Sequence, residues 1–454
     1  MEELATWDGV ETAERIRRGD VSASEVCEAA IARAEEATEL GAIVTPMYER
    51  ARESVRTLDK SAPLAGVPTA IKDLFEVKGF ATSWGSRGAV HMSKKSDPVV
   101  KRFDDAGFVS LAKSTTPEFG LTATTEPLLG PVCRNPWNLE HSSGGSSGGA
   151  AALVASGVVP IAHASDGGGS VRIPASCCGL VGLKVSRKRL DMPGSNVLPI
   201  NVAVHGCVSR TVRDTTAFWH SMGFDFHAPA PKKLRVGFYT RSGLSSDVHE
   251  DNQRAARDAA KLCEELGHHV EEIRCPAVGS LNDDFTLYWA MIGWVQVAGG
   301  KVLVHRDFDT KNVEPWTSQM GRFFRSQPLE AVRAIRRLRR FERDYAKLMH
   351  RYDVLISPTM AAPPPQLGYL APDLPWKTKL KRIVEYCPFT FVQNVTGAPG
   401  ISLPMGQSAK GLPLGVQFGG RAGDEATLLA LATELEKAAP WAGRVYGDDP
   451  RLSH

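Results

Sequence analysis

Residues 144–182 read GGSSGGAAALVASGVVPIAHASDGGGSVRIPASCCGLVG. Two serine-centred glycine clusters are separated here by one helix-length and one strand-length segment. Glycine reaches strained backbone conformations without steric cost, so each cluster can turn sharply and expose its N–H groups. In SDGGGS, Gly167, Gly168 and Gly169 let successive N–H groups converge ahead of Ser170. Such a nest stabilises developing negative charge. The preceding VVPIAHA (158–164) is predicted as a buried strand. The following VRIPASCCG is predicted to begin a helix, with Pro174 tolerated near its first turn. Strand, nest and helix in that order present a nucleophile at a helix N-terminus. A phosphate-binding loop would need the lysine of GxxxxGK[ST], which is missing.

Upstream, Ser146 and Ser147 sit between Gly144-Gly145 and Gly148-Gly149. AAALVASG then reads as a small-residue helix packed closely on its neighbours. A flexible Gly/Ser linker would not run at once into an apolar helix.

A serine hydroxyl is a weak nucleophile without a base. The usual base is histidine, yet none of the 12 histidines stands in a recognisable catalytic setting. His163 lies in the predicted strand and reads as a satisfied core residue or a support for a neighbour. His141 and His205 read as loop residues. The alternative is a neutral lysine. In AGVPTAIKDLF (65–75), an apolar strand ends on Lys72. Burial there would lower its pKa by disfavouring the charged form. Asp73 would act in the opposite sense if it pointed inward, so the sign depends on side-chain direction.

Together these pieces resemble the amidase signature family. The matching stretches are GVPTAIKD (66–73), GGSSGGAAA (144–152) and SDGGGSVRIPASCCGLVGLKV (165–185). STTPEFG (114–120), RNPWN (134–138), DVLISPT (353–359) and NVTGAPGISLPMG (394–406) extend the likeness over nearly the whole chain. The resemblance implies one α/β domain spanning 1–454, with a central mixed, twisted β-sheet covered by helices on both faces. The signature core would occupy about 60–210 and a variable helical region about 280–350. It also implies a Ser–cis-Ser–Lys triad. Ser170 matches the nucleophile, Ser146 the bridging serine with a cis peptide bond, and Lys72 the base. The tandem SSGGSSGG leaves Ser142 as a rival for the bridging slot; spacing and the following helix select Ser146. Gly167, Gly168, Gly169 and Ser170 would supply the oxyanion hole. Asp166, Arg172 and Ser147 would brace it. Trp84, Phe119, Gly120 and Leu121 would line the substrate pocket. Gly167 stands where the family often has threonine, and Val185 where it often has proline.

Apolar content of 43% and charged content of 23% are ordinary for a globular protein. A net charge of +3 is too small at 454 residues to imply nucleic-acid binding. Eight cysteines are scattered without metal-ligand spacing, and the adjacent Cys177 and Cys178 read as buried thiols. The N-terminal residues are polar and helix-like, with neither signal peptide nor membrane span. A reducing cytoplasm fits this composition; a monomer or homodimer is expected, and the reaction implied by the resemblance needs neither metal nor organic cofactor.

Elsewhere, residues 5–39 read as helices, with Ser22 or Ser24 as a cap. LRVGFYT (234–240) reads as a strand, 251–267 as a helix and HHVEEIRC (268–275) as another strand. Residues 280–350 read as mostly helical and match the family least, so substrate choice is expected partly there. Helix 328–349 carries an apolar stripe of Leu329, Val332, Ile335, Leu338, Phe341 and Tyr345 against an arginine-rich face. A core-facing stripe with a solvated basic face explains this pattern; a membrane-surface or acidic-partner role is the other reading. The proline-rich 361–376 is expected to cover one edge of the active-site mouth.

The expected activity is hydrolysis of C–N bonds through an acyl-enzyme. The substrates implied are small apolar or aryl amides, with carbamates (urethanes) and esters as side substrates. The stretch STTPEFGLTATTEP…RNPWN…SVRIPAS is similar to the bacterial branch containing 6-aminohexanoate cyclic-dimer hydrolases, aryl acylamidases and urethane-cleaving amidases. A glutaminase subunit of a tRNA-dependent amidotransferase typically reads SIRQPA, where this chain has Ile173. A membrane-bound lipid amidase would carry an N-terminal span. Neither rival fits as well.

Overall fold

The computed structural model describes residues 3–192, 194–226, 233–243, 247–277 and 279–441. The outermost ends of the expected 1–454 domain lie outside them.

The core is an eight-stranded sheet in the order His269–Glu272, Arg235–Phe238, Val354–Pro358, Pro413–Gly419, Gly400–Gln407, Val181–Lys184, Val204–Ser209, Ile161–Asp166. Strand 235–238 runs parallel to both its neighbours, and every other pairing is antiparallel. The sheet is therefore mixed, as expected. Three of its inner strands, Val181–Lys184, Val354–Pro358 and Pro413–Gly419, are buried end to end. Helices 212–221, 250–265 and 425–438 contribute to one large apolar cluster, and helices 148–155 and 172–178 to another.

A second sheet of three strands, in the order Ile43–Pro46, Val109–Ser114, Pro68–Lys72, brings Lys72 to the edge strand 161–166. The predicted strand–nest–helix unit is present as strand 161–166, a turn over 167–171 and helix Arg172–Cys178. Helix Gly148–Ala155 is wholly buried. Six of its eight residues are Gly or Ala, which permits that close approach. Ser22 is the N-cap of helix Ala23–Glu36 and forms a capping box with Glu25.

Three local expectations are corrected. His205 is not in a loop: it lies in strand 204–209 and is fully buried. His141 is in strand Asn138–Ser142, where its Nδ1 lies 2.7 Å from the Pro364 carbonyl. On helix Pro328–Leu348, Leu329 and Val332 are 76% and 50% exposed. The packed face keeps Ile335, Leu338, Phe341 and Tyr345 of the expected stripe and adds Ala331 and Ala334. Several arginines of that helix are engaged: Arg337 donates to Asp284, Arg339 to the Pro199 carbonyl, and Arg333 pairs with Glu330. Among the described residues, no helix is long and apolar enough to cross a membrane.

Candidate active site

Lys72 ends its strand fully buried, and its Nζ meets three hydroxyls. Ser146 Oγ is at 2.7 Å, Ser147 Oγ at 2.9 Å and Ser165 Oγ at 3.1 Å. Burial lowers its pKa to about 7, against the opposing pull of Asp166. Asp73 does not intervene. Its carboxylate turns away to Lys113, 2.5 Å off, and to the Ser83 N–H at 3.1 Å. The open question of sign is thereby decided by side-chain direction.

The backbone of Lys72 is fixed as well. Its N–H donates to His163 Nδ1 at 3.3 Å. That leaves His163 Nε2 as the protonated nitrogen, donating to His205 Nδ1 at 3.1 Å. Burial first, then His205 and Lys72, hold His163 well below the ordinary imidazole range; burial first, then Lys72 and Arg102, hold His205 at about 3. Both rings are thus neutral supports that add no positive charge behind the lysine, consistent with the reading of His163 as a supporting residue.

Ser146 follows a cis peptide bond from Gly145. Ser142 is committed elsewhere, to Thr124 Oγ1 at 2.9 Å and the Gly144 N–H at 3.1 Å. The structure thus takes Ser146, not Ser142, to the lysine. The 118–121 turn abuts Ser146: a Cβ added at Gly120 would stand 3.0 Å from Ser146 Oγ. Gly120 has φ +68° and Phe119 +52°.

Asp166 and Arg172, both fully buried, organise the nest. The Asp166 carboxylate accepts from the Gly169 N–H at 2.8 Å, the Val171 N–H at 3.2 Å, Arg172 Nε and Nη2 at 3.0 Å each, and Asn394 Nδ2 at 2.8 Å. Burial pushes this carboxyl up, but the Arg172 charge and these hydrogen bonds outweigh it and hold it at about 2. Arg172 also donates to the Thr390 carbonyl, Gln393, Gln417 and Asn394. Of the four residues expected to supply oxyanion donors, Gly169 has its N–H bonded to Asp166. Among the described residues, the N–H groups of Gly167, Gly168 and Ser170 carry no such bond.

Ser170, 7% exposed, opens onto a cavity of about 710 Å³, open mouth included. Its walls include Gly120, Leu121, Ile173, Phe285, Trp289, Trp316, Trp376 and Phe391, and among the described residues no Asp, Glu, Lys, Arg or His side chain lines it. Trp84 and Phe119 are not among them. Their rings pack 6.2 Å apart behind the 118–121 turn, with Phe308 5.9 Å from Phe119. The pocket's aromatic residues come instead from helices Leu281–Ala298, Pro315–Arg325 and Trp376–Tyr386 and from Phe391. Seven of the twenty lining residues lie between 282 and 320, in the stretch where substrate choice was partly expected. Of the proline-rich segment, Trp376 alone reaches the cavity; Pro364 and Pro365 pair with His141 and Ser142.

Sequence reasoning missed Ser165, Asn394, Gln393 and Thr390. Asn394 opens the matched stretch 394–406, which was the available signal; a lone serine on an edge strand gave none. Among the described residues, no group of three or more His, Cys, Asp or Glu is placed to hold a metal ion.

The chain is similar to known proteins along almost its full length. The Amidase family model matches residues 25–429. A Mycobacterium tuberculosis protein named AmiC is 43% identical over 97% of this chain and 96% of its own. The 6-aminohexanoate-cyclic-dimer hydrolase of Paenarthrobacter ureafaciens is 35% identical over 98% and 97%. The solved structure of a 6-aminohexanoate cyclic dimer hydrolase with substrate superposes with a TM-score of 0.88 at 31% identity, covering 99% of this chain and 100% of that one. This chain belongs to the amidase signature family of amide hydrolases.

Proposed function

We propose that Ser170, Ser146 and Lys72 act as nucleophile, relay and base in the hydrolysis of small, largely apolar amides. The observation that carries this is the wholly buried Lys72 Nζ, 2.7 Å from Ser146 Oγ, with a pKa near 7. A neutral amine has two N–H donors and one lone pair. Ser147 donates to the Ser165 carbonyl at 3.4 Å, which frees its lone pairs to accept from Lys72. With donors turned to Ser147 and Ser165, the lysine lone pair faces Ser146, its nearest partner.

In this reading Lys72 accepts the Ser146 proton while Ser146 takes the proton of Ser170. Ser170 Oγ attacks the carbonyl carbon, and the N–H groups of Gly167, Gly168 and Ser170 hold the oxyanion. Removing one such donor typically costs about 100- to 1000-fold in kcat. Ser146 then protonates the leaving nitrogen, the C–N bond breaks, and the amine departs. Water, activated by the same relay, cleaves the Ser170 ester and releases the acid. Carbamates and esters form the same tetrahedral intermediate and are side substrates.

The cavity supports apolar over zwitterionic substrates. A buried charged head group needs paired partners, and the described lining residues supply none. The test compares kcat/KM for an acyl anilide, an aryl carbamate, a primary aliphatic amide and glutamine. The anilide or carbamate should lead. Glutamine ahead by about tenfold, roughly 1.4 kcal/mol in transition-state binding, would refute the substrate assignment.

A further inference from the structure

Helix 281–298 lays two aromatic rings across the glycine nest. Phe285 and Trp289 are one turn apart, on the same helix face, with their rings stacked 5.7 Å apart. Phe391 extends the stack 5.0 Å from Phe285. A Cβ built on Gly168 would stand 3.3 Å from Phe285 Cζ. One built on Gly167 would stand 3.0 Å from Trp289 Cη2 and 3.2 Å from Cζ3. Gly167 does not have the positive φ that favours glycine, whereas Gly169 does, at +129°. What a side chain at 167 would press against is therefore the indole, with no backbone strain to add to it.

Trp289 is also pinned from its other end. Its Nε1 donates to the Leu121 carbonyl at 3.2 Å, and Trp316 Nε1 donates to the same oxygen at 3.2 Å. Leu121 adjoins Gly120, the residue that abuts Ser146. The indole thus bridges the nest and the turn beside the relay serine while forming part of the cavity wall.

From this geometry we infer that Gly167 and Trp289 form a size gate for the acyl group, with glycine admitting the indole and the indole excluding bulky acids. The inference rests on the catalytic roles proposed above. With the carbonyl oxygen in the nest and the nitrogen turned to Ser146, the acyl substituent is left to face Trp289.

The test uses p-nitroanilides of acetic and benzoic acid, which share a leaving group, and a matched pair of acetamides differing in the size of the arylamine. Trp289→Ala should raise the benzoyl-to-acetyl ratio of kcat/KM about tenfold or more, with Trp289→Phe intermediate and the amine pair unmoved. Gly167→Thr should lower turnover of both anilides, and Gly167→Thr/Trp289→Ala should regain about tenfold of that loss. Thermal melts of the four proteins in this double-mutant cycle read the contact without any chemistry: threonine should lower the melting temperature less when Trp289 is absent. An unchanged acyl ratio, a change confined to the amine pair, or equal damage by threonine in both backgrounds would overturn the gate. Absence of all anilide turnover would instead refute the catalytic assignment, while the melts would still decide the contact.

Discussion

Lys72 Nζ stands 2.7 Å from Ser146 Oγ, and no part of the lysine side chain reaches solvent. That relationship joins a strand of the small sheet to the residue two positions before helix 148–155. It makes protonation of Lys72 a folding-dependent property, since the same lysine in an unfolded chain titrates near 10.4.

The first consequence is a pH profile. The base role proposed for Lys72 requires its neutral form, and burial brings its pKa to about 7. kcat/KM should therefore rise with pH through about 7 and level off above about 8. Lys72→Ala should lose about 100- to 10,000-fold, the usual contribution of a general base. Lys72→Arg, which cannot lose its proton, should be no better. Rates for the wild type and both variants from pH 5 to 9 test this; retention of the acid limb in Lys72→Ala would exclude the lysine as its source.

Ser146 and Lys72 should fail as a unit. Groups that share one proton pathway lose activity non-additively. Ser146→Ala alone should cost nearly as much as Ser146→Ala/Lys72→Ala. Single-turnover rates for the four proteins in the cycle decide this. A double-variant loss equal to the product of the single losses would mean two independent roles.

How much of this was legible in the sequence follows from how local each signal was. Strand, nest and helix over 161–178 were readable because glycine, proline and the apolar run lie within one stretch. Lys72 was readable as the end of an apolar strand, but the sign of its shift was not. That sign depended on whether Asp73 turned to Lys72 or to Lys113, which a sequence does not reveal. Ser165 was invisible because its role arises where two sheets meet. Trp84 and Phe119 were misplaced for the same reason: they flank the site in sequence, whereas the aromatic rings of the wall come from segments more than 100 residues away. His205 was mistaken for a loop residue because HGC gave no strand pattern. Its burial is stabilised by the His163 bond, a long-range contact.

The Asp166–Arg172 pair should dominate local stability. Asp166→Asn leaves the Arg172 guanidinium buried without its counter-charge, and breaking such a pair typically costs about 3–5 kcal/mol. Denaturant melts at pH 7 should show that loss. The Asp166 carboxyl sits at about 2 in the fold, below about 3.9 for an unfolded aspartate. Its stabilisation is thus complete above the unfolded value and is lost as pH falls toward 2. Asp166→Asn should lack that part of the acid sensitivity. Equal stability of the variant at pH 7 would show that the arginine's other acceptors suffice.

The most direct test of the account is where an active-site-directed reagent lands. Cys387 lines the same cavity as Ser170, but burial raises its thiol well above the ordinary range, so it should not compete. Intact-mass and peptide analysis after treatment with a sulfonyl fluoride should show one adduct, on Ser170, matched by loss of amide turnover. Ser170→Ala should take up no adduct and hydrolyse nothing while melting as the wild type does. An adduct on Cys387 or another residue that tracks the loss of activity, or amide turnover by a folded Ser170→Ala, would contradict the assignment of Ser170 as nucleophile.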